Sequence, residues 1–174
     1  MFKTIKEEHV EAEIVEKKSK FIANIFYVNT TEMAEDIIKK TNKKYFDARH
    51  NCYAYSIKNI NENVKRFSDD GEPSGTAGAP ILNIIEKNEI NNILVIVTRY
   101  FGGILLGTGG LTRAYTKGAS IALKAGGVVE KVQGVDVALH LDYDMIGKVQ
   151  YVCGQNNWHI EDTEYTDKVI VHIL

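Results

Sequence analysis

Polar and apolar residues alternate near the start of the chain, a pattern typical of a half-buried strand. The alternation covers residues 10–14, a lysine-rich turn follows at 17–20, and an apolar run over 21–28 predicts the second strand of a hairpin. Asn29 is expected to cap a helix, because Glu32 follows three residues later and apolar residues then recur on one face. The chain therefore opens with two strands and a helix.

Five further segments of the chain have patterns that predict strands or helices. Residues 52–57 and 64–68 predict a second hairpin, with the aromatic residues of its first strand on one face. A helix follows with Pro80 in its first turn, where the missing N–H matters least. The unbroken run 93–97 is typical of a strand covered on both faces, so we expect it at the centre of the sheet. From Leu111 onward, apolar residues at helical spacing predict an amphipathic helix.

This order of strands and helices predicts an α+β fold whose first domain ends near Lys131. After Gly134 the alternation restarts and gives a β-α-β-β pattern. We therefore predict two domains, residues 1–131 and 132–174. The second ends in the apolar run Val169–Leu174, which we expect to form a strand with an uncovered edge. Such an edge indicates either a shortened chain or a homodimer paired through this strand.

Composition restricts the classes of function. The chain has 174 residues, of which 44% are hydrophobic, so it can bury a substantial core. Its formal net charge is -2, and any nucleic-acid site must therefore be a local feature. We expect a cytoplasmic protein without membrane attachment, because the sequence contains neither a signal-peptide core nor an apolar run of roughly 20 residues. Cys52 and Cys153 lack metal-binding spacing and are expected to be buried thiols.

An acidic and glycine-rich segment precedes the Pro80 helix. Its candidate site residues are Asp69, Asp70, Glu72, Ser74, Gly75 and Thr76. Carboxylates near a helix N-terminus are favourable, so the acids are expected either to cap the helix or to lie in a solvated turn. Three hard oxygen ligands also match the preference of Mg²⁺, so an acidic metal cluster is the alternative.

A second glycine-rich segment joins the central strand to the last helix of the first domain. Its candidate residues for binding a nucleic acid or an anion are Arg99, Tyr100, Phe101, Gly102, Gly103, Thr108, Gly109, Gly110 and Arg113. Free N–H groups at the helix start can hold an anion, the two arginines can clamp a phosphate, and the aromatic rings can stack on bases. Alternatively, each arginine pairs with one of the preceding acids and the aromatic residues cover the core.

Other motifs carry weaker signals. The segment GGILLGTGG matches no mononucleotide loop, because Thr108 stands where a Lys is needed and Thr112 where a last Gly is needed. His50 and Cys52 share a strand face and form the minimum for a Cys–His pair, although a strand cysteine is usually a core residue. Tyr53 and Tyr55 offer either an RNA-stacking platform or ordinary sheet packing.

The two motifs FSDDGEPSGTAGAPIL and VTRYFGGILLGTGGLTRAY resemble the signature of the Impact family, which includes the YigZ-type proteins of bacteria, and the likeness extends from Glu13 to Gly127. The resemblance implies a ribosomal-protein S5 domain-2-like first domain. It also implies a following ferredoxin-like domain, similar to the last domain of elongation factor G. This chain departs from that pattern, since its last segment is two elements short of βαββαβ. We therefore expect an incomplete second domain.

The resemblance also carries the functional expectation. It implies translational control for the eukaryotic relatives, through a regulator of the starvation kinase, and binding of nucleic acid or the ribosome for the bacterial members. The leading hypothesis is a non-enzymatic, translation-associated protein without a cofactor that binds RNA, the ribosome or a translation-control protein. The alternative is an enzyme that acts on a phosphorylated or peptide substrate in the cleft between the two glycine-rich segments. A third reading is a protein-interaction module.

Overall fold

The computed structural model describes residues 1–132 and 134–174 of the chain. The chain divides into two compact units, Met1–Lys131 and Val132–Leu174. Both units combine helices with sheets, and the predicted α+β fold is confirmed.

The first unit contains a five-stranded sheet with helices on both faces. In chain order its elements are β1 Phe2–Ile5, β2 His9–Glu16, β3 Ser19–Tyr27, α1 Thr31–Lys44, β4 His50–Lys58, β5 Asn63–Ser68, α2 Gly78–Lys87, β6 Ile93–Tyr100, α3 Gly107–Gly126 and β7 Val128–Lys131. The sheet has the order β2-β3-β6-β4-β5, and all neighbouring strands are antiparallel. Strands β1 and β7 pair separately, and their short sequences had not indicated strands.

Strand β6 is the middle strand of this sheet, as its sequence predicts. Ile93, Val95 and Val97 face the core that α2 and α3 cover, whereas Leu94 and Ile96 face the core on the α1 side. All five side chains are buried. Burial of each such side chain contributes roughly 1.5–3 kcal/mol to folding, which accounts for an apolar run without polar alternation.

The connection through α2 decides where the two glycine-rich segments meet. Strands β5 and β6 both pair antiparallel to β4, which lies between them, so they run parallel to each other and α2 crosses over from one to the other. The carboxyl ends of two parallel strands lie at the same end of a sheet. The segments that follow β5 and β6 therefore lie side by side, next to the first residues of β4.

The cap of α1 differs from the sequence prediction. Thr30, not Asn29, is the N-cap: its backbone is extended, and its hydroxyl accepts a hydrogen bond from the Met33 N–H at 3.1 Å. The Asn29 carbonyl instead accepts a hydrogen bond from the Asn59 side chain at 2.7 Å. The prediction was wrong by one residue because both residue types are good caps, and this contact with the β4–β5 turn holds Asn29 outside the helix.

The second unit contains a three-stranded sheet and one helix. Its elements are β8 Val137–Leu141, a short 3-10 turn Tyr143–Met145, α4 Ile146–Asn156, β9 Ile160–Tyr165 and β10 Val169–Ile173. The sheet order is β8-β10-β9, and β10 is antiparallel to both neighbours. Strands β8 and β9 are thus parallel with β10 inserted between them, which is the split βαβ arrangement of ferredoxin-like folds.

One prediction for this unit needs correction. The apolar run Val169–Leu174 does not present an uncovered edge, because β10 pairs with β8 on one side and with β9 on the other. The argument for a homodimer through this strand therefore fails. The buried face of α4 contains Cys153, which is 2% exposed, as expected of a buried thiol. None of the described helices combines the length and the apolar character needed to cross a membrane.

The capping assignment can be tested by a pair of substitutions. Thr30→Ala removes the hydrogen bond that the Thr30 side chain makes to the first turn of α1, and we expect it to lower the free energy of unfolding by about 1 kcal/mol. Asn29→Ala should change it far less, because the contact of Asn29 uses the backbone carbonyl. Urea unfolding monitored by circular dichroism measures both, and a larger loss for Asn29→Ala would contradict the assignment.

Candidate functional site

The two glycine-rich segments and the start of β4 enclose a cavity of about 430 Å³, which we call the Arg99 cavity. Its lining residues are Arg49, His50, Gly71, Glu72, Pro73, Arg99, Phe101, Leu105, Leu106, Gly107, Thr108 and Leu111. The volume falls in the ~300–1,000 Å³ range of sites that enclose small ligands. The cavity lies entirely within the first unit.

A buried ion pair forms the floor of the Arg99 cavity. The Arg99 Nη1 group donates a hydrogen bond to Glu72 Oε1 at 2.6 Å, and the Tyr115 hydroxyl donates to the same oxygen at 2.8 Å. Arg99 is 5% exposed and Glu72 is 8% exposed. The Nε atom of Arg99 is buried and has no hydrogen-bond partner in the described chain. Arg99 therefore pairs with a preceding acid, which the sequence left as one alternative, while its Nε donor has no partner in the described chain.

His50 and Cys52 flank this floor but do not form a nucleophilic pair. His50 Nδ1 lies 2.7 Å from the Asp70 carbonyl, which can only accept, so Nδ1 carries the proton, and Nε2 lies 3.7 Å from Glu72 Oε2. The Cys52 thiol donates to the Asp69 carbonyl at 2.9 Å. Burial raises the pKa of Cys52 to about 12, so its reactive thiolate form is not populated near neutral pH.

The two aspartates are occupied by backbone groups. Asp69 accepts hydrogen bonds from the N–H groups of Gly75, Ala77 and Gly78 at 2.8 to 3.0 Å, which closes the turn and caps α2. Partial burial acts to raise the pKa of Asp69, but these three bonds outweigh it and hold the pKa below its usual value of 3.8. Asp70 accepts from the Asn51 N–H at 2.6 Å. Residues 1–132 and 134–174 contain no group of three acidic, histidine or cysteine side chains arranged to hold a metal ion.

Ser74, Gly75 and Thr76 lie in the turn that Asp69 closes rather than in the Arg99 cavity. The Thr76 hydroxyl donates to the Pro73 carbonyl at 2.6 Å, and Gly75 has a φ of +76° that favours glycine. These contacts support the reading in which the acids cap a helix and the glycines form turns. The segment reaches the cavity through Gly71, Glu72 and Pro73 instead.

The start of α3 presents free backbone donors to the cavity. The helix begins at Gly107, its first turn contains no acidic residue, and no described side chain caps it. The first four N–H groups of a helix have no partner within the helix. Gly107 and Thr108 line the Arg99 cavity, whereas Gly110 lines a neighbouring one. The dipole of α3 therefore adds positive potential at one end of the Arg99 cavity.

The two arginines of the second motif do not converge. Arg113 lines a separate cavity of about 190 Å³, together with Glu16, Lys17 and Lys117. Its guanidinium lies over Gly109, where an added side-chain carbon would be 3.5 Å from Nη1. The helical turn between residues 107 and 113 directs the two side chains to different surfaces, so the clamp expected from Arg99 and Arg113 is not formed.

The second arginine on the Arg99 cavity is Arg49, where the sequence analysis expected Arg113. It lies at the cavity opening, and its guanidinium carbon is 5.8 Å from the ring centre of Phe101, whose other arginine neighbour, Arg99, is at 5.6 Å. Phe101 is 40% exposed and Tyr100 donates its hydroxyl hydrogen bond to Asp47. Arg49 was missed because it precedes a strand outside both motifs. Its position follows from the pairing of β4 with β6, which the sequence pattern does not reveal: the Arg49 N–H donates a hydrogen bond to the Arg99 carbonyl.

Gly102 and Gly103 have structural roles beside the cavity. A side-chain carbon on Gly102 would lie 2.0 Å from the backbone carbonyl carbon of Lys18, so only glycine lets the chain cross the β2–β3 turn. Gly103 has a φ of +83°.

The two tyrosines of β4, Tyr53 and Tyr55, pack within the sheet. Tyr55 is fully buried, its hydroxyl donates a hydrogen bond to Glu35, and its ring stacks with that of Tyr53 at a centroid distance of 6.2 Å.

Comparison with known proteins identifies the family to which the chain belongs. The family model described as the Impact N-terminal domain matches residues 17–123, and a domain of unknown function, DUF1949, matches residues 139–174. The chain therefore belongs to the Impact family, and the resemblance drawn from the two motifs is confirmed.

Individual relatives match over most of the chain. The Impact family member YvyE of Bacillus subtilis is 40% identical over 159 residues, which is 91% of this chain and 73% of that protein. YigZ of Escherichia coli is 34% identical over 158 residues, which is 90% of this chain and 78% of that protein. A crystal structure described as a hypothetical protein has 31% identity and a TM-score of 0.71, and the match covers 99% of this chain and 84% of that one.

The role of Asp69 predicts a pH-dependent stability. Because its pKa is lower in the folded state than its ordinary value of 3.8, its stabilisation is present above that value and is lost as the pH falls through the folded pKa. We expect Asp69→Asn to cost about 1–3 kcal/mol at pH 7 and less at pH 3, measured by urea unfolding. Asp36→Asn, on an exposed ion pair, is the control and should cost less at pH 7. An equal loss from Asp69→Asn at both pH values would contradict this role.

The crossing at Gly102 predicts a sharp difference between two glycines. Gly102→Ala places its new carbon against the backbone of Lys18, which cannot move aside cheaply, and should cost about 3 kcal/mol or more. Gly118→Ala, inside α3, meets its nearest neighbour at 3.7 Å and should leave stability unchanged or raise it by up to about 1 kcal/mol. Thermal unfolding distinguishes them. Similar melting temperatures for the two variants would show that Gly102 is not needed for the crossing.

Proposed function

We propose that this protein is a translation-associated member of the Impact family that binds RNA through the Arg99 cavity, in the cytoplasm and without a cofactor. One observation carries the RNA part of the proposal. Arg49, Arg99 and the uncapped start of α3 line one cavity beside an exposed aromatic ring, and the buried Nε of Arg99 has no hydrogen-bond partner in the described chain. Cationic donors that position a phosphate, next to a ring that can stack on a base, are the usual means of binding single-stranded nucleic acid.

The charge at this site is local. The whole chain carries a formal net charge of -2, so long-range attraction to RNA is weak. Glu72 neutralises part of the charge of Arg99, but the exposed guanidinium of Arg49 and the dipole of α3 remain. This small local positive charge supports contact with one or two phosphates of the RNA rather than with a long stretch of its backbone.

Family membership supports the link to translation. Members of the family are expected to act in translational control, and both motifs that resemble the family signature contain residues that line the Arg99 cavity. We propose that the protein binds this RNA on the ribosome or together with a translation-control protein.

The enzyme alternative has less support. A catalytic acid in the cleft would have its pKa raised toward neutrality, whereas the pKa of Asp69 is lowered. Asp70 and Glu72 both accept hydrogen bonds from the protein, and the pKa of Cys52 is raised away from the reactive range. The geometry therefore favours binding over catalysis.

A matched pair of arginine variants tests the RNA proposal. Arg99→Ala is unsuitable, because it leaves Glu72 buried without its partner, a change that costs about 3–5 kcal/mol. Arg49→Ala removes an exposed cation from the cavity opening, and Arg113→Ala removes the same charge from the neighbouring cavity. We expect Arg49→Ala to weaken binding of single-stranded RNA about five- to tenfold at low salt and to reduce the salt dependence, with little change for Arg113→Ala.

The measurement is the dissociation constant of an RNA oligonucleotide at several salt concentrations, with the melting temperature of each variant as a check on folding. Equal weakening by the two substitutions would indicate a nonspecific charge effect and contradict binding in the Arg99 cavity. Absence of binding at low salt would overturn the RNA proposal and leave a protein partner as the next hypothesis.

A further inference from the structure

We propose that the Arg99 cavity receives the phosphorylated end of a single-stranded RNA, one nucleotide deep, an inference that rests on the RNA-binding function proposed above and names its ligand class. The inference follows from the shape of the cavity, the position of its donors and the surface available for stacking.

The inner part of the cavity is buried and its rim is exposed. Its floor is made of Arg99 and Glu72, which are 5% and 8% exposed, whereas Leu105 at the rim is 82% exposed. Proteins that bind the interior of a strand use an open groove that follows several nucleotides. The volume of about 430 Å³ suits one enclosed small ligand, and therefore the last nucleotide of a strand.

The donors favour a terminal phosphate over an internal one. A phosphate monoester carries about -1.5 to -2 charges at pH 7, more than the single charge of a phosphodiester. The uncapped start of α3 offers N–H groups at Gly107 and Thr108, and the buried Nε of Arg99 lacks a partner in the part of the chain that the structure describes. Two such sources of positive charge match one dianion. The carboxylate of Glu72 opposes a second phosphate in the same place.

The rest of the cavity matches a nucleoside. Phe101 is 40% exposed, and Arg49 lies over its ring, so a base can extend this stack on the guanidinium plane or on the ring. Pro73, Leu106 and Leu111 supply apolar wall surface on the way to the floor. An inorganic phosphate would use the donors but leave this surface empty, so it should bind more weakly than a phosphorylated nucleotide.

The test compares four RNA molecules of one sequence: linear with a 5′-phosphate, linear with a 3′-phosphate, linear without a terminal phosphate, and circular. Titration calorimetry at low salt gives each dissociation constant without a label. We expect at least one phosphorylated linear form to bind about tenfold or more tightly than both the circle and the unphosphorylated form. Affinity for that phosphorylated form should fall in Arg49→Ala and be retained in Arg113→Ala. A nucleoside monophosphate should compete, and inorganic phosphate should compete less.

The outcomes separate this inference from the function on which it rests. Equal affinity for the circle and the phosphorylated linear forms would overturn binding of an RNA end while leaving RNA binding intact. An affinity for the phosphorylated end that is unchanged in Arg49→Ala would also overturn it, because the end would then be bound elsewhere. Binding of the nucleoside monophosphate without binding of any RNA would support the single-nucleotide cavity and overturn the RNA function. No binding of any of these molecules would overturn both.

Discussion

The ion pair between Glu72 and Arg99 is the interaction on which the functional region of this protein depends. It joins the turn after β5 to the end of β6, and Tyr115 of α3 donates to the same carboxylate oxygen. A charge this deeply buried must be paired, so neither motif can take its conformation without the other. This requirement explains why two segments separated by a helix and a strand together make one cavity.

The pair also sets the electrostatics of the site. It holds the guanidinium of Arg99 in place with one nitrogen committed to Glu72 and another left without a partner in the described chain. The remaining positive potential comes from Arg49 and from the start of α3, which lie on the same cavity. The result is a small cationic site in a chain of net charge -2, which suits a ligand that is recognised locally rather than attracted from a distance.

Asp69, the loop after β6 and Arg113 show how much of the candidate site could be predicted from the sequence. The spacing from Asp69 to the Pro80 helix indicated a cap, and the carboxylate does accept from Ala77 and Gly78. The loop after β6 was placed correctly at a helix start, since the change from strand to helical period marks it. Arg113 could not be assigned, because the direction of a side chain in the first turns of a helix depends on how the helix is rotated against the sheet.

Elements that depend on local period could be predicted from the amino-acid order alone: the buried strand β6, the two hairpins and the amphipathic helix α3. They follow from burial of apolar residues at spacings of two or 3.6 residues, which one chain segment encodes alone. The two motifs that identify the family could be recognised in the same way. Three other outcomes became visible in the folded chain: β10 is a central strand, Arg49 rather than Arg113 lies on the cavity with Arg99, and Glu72 is the buried partner of Arg99. Those outcomes depend on strand order and register, which bring together residues that are distant in sequence and carry no local pattern.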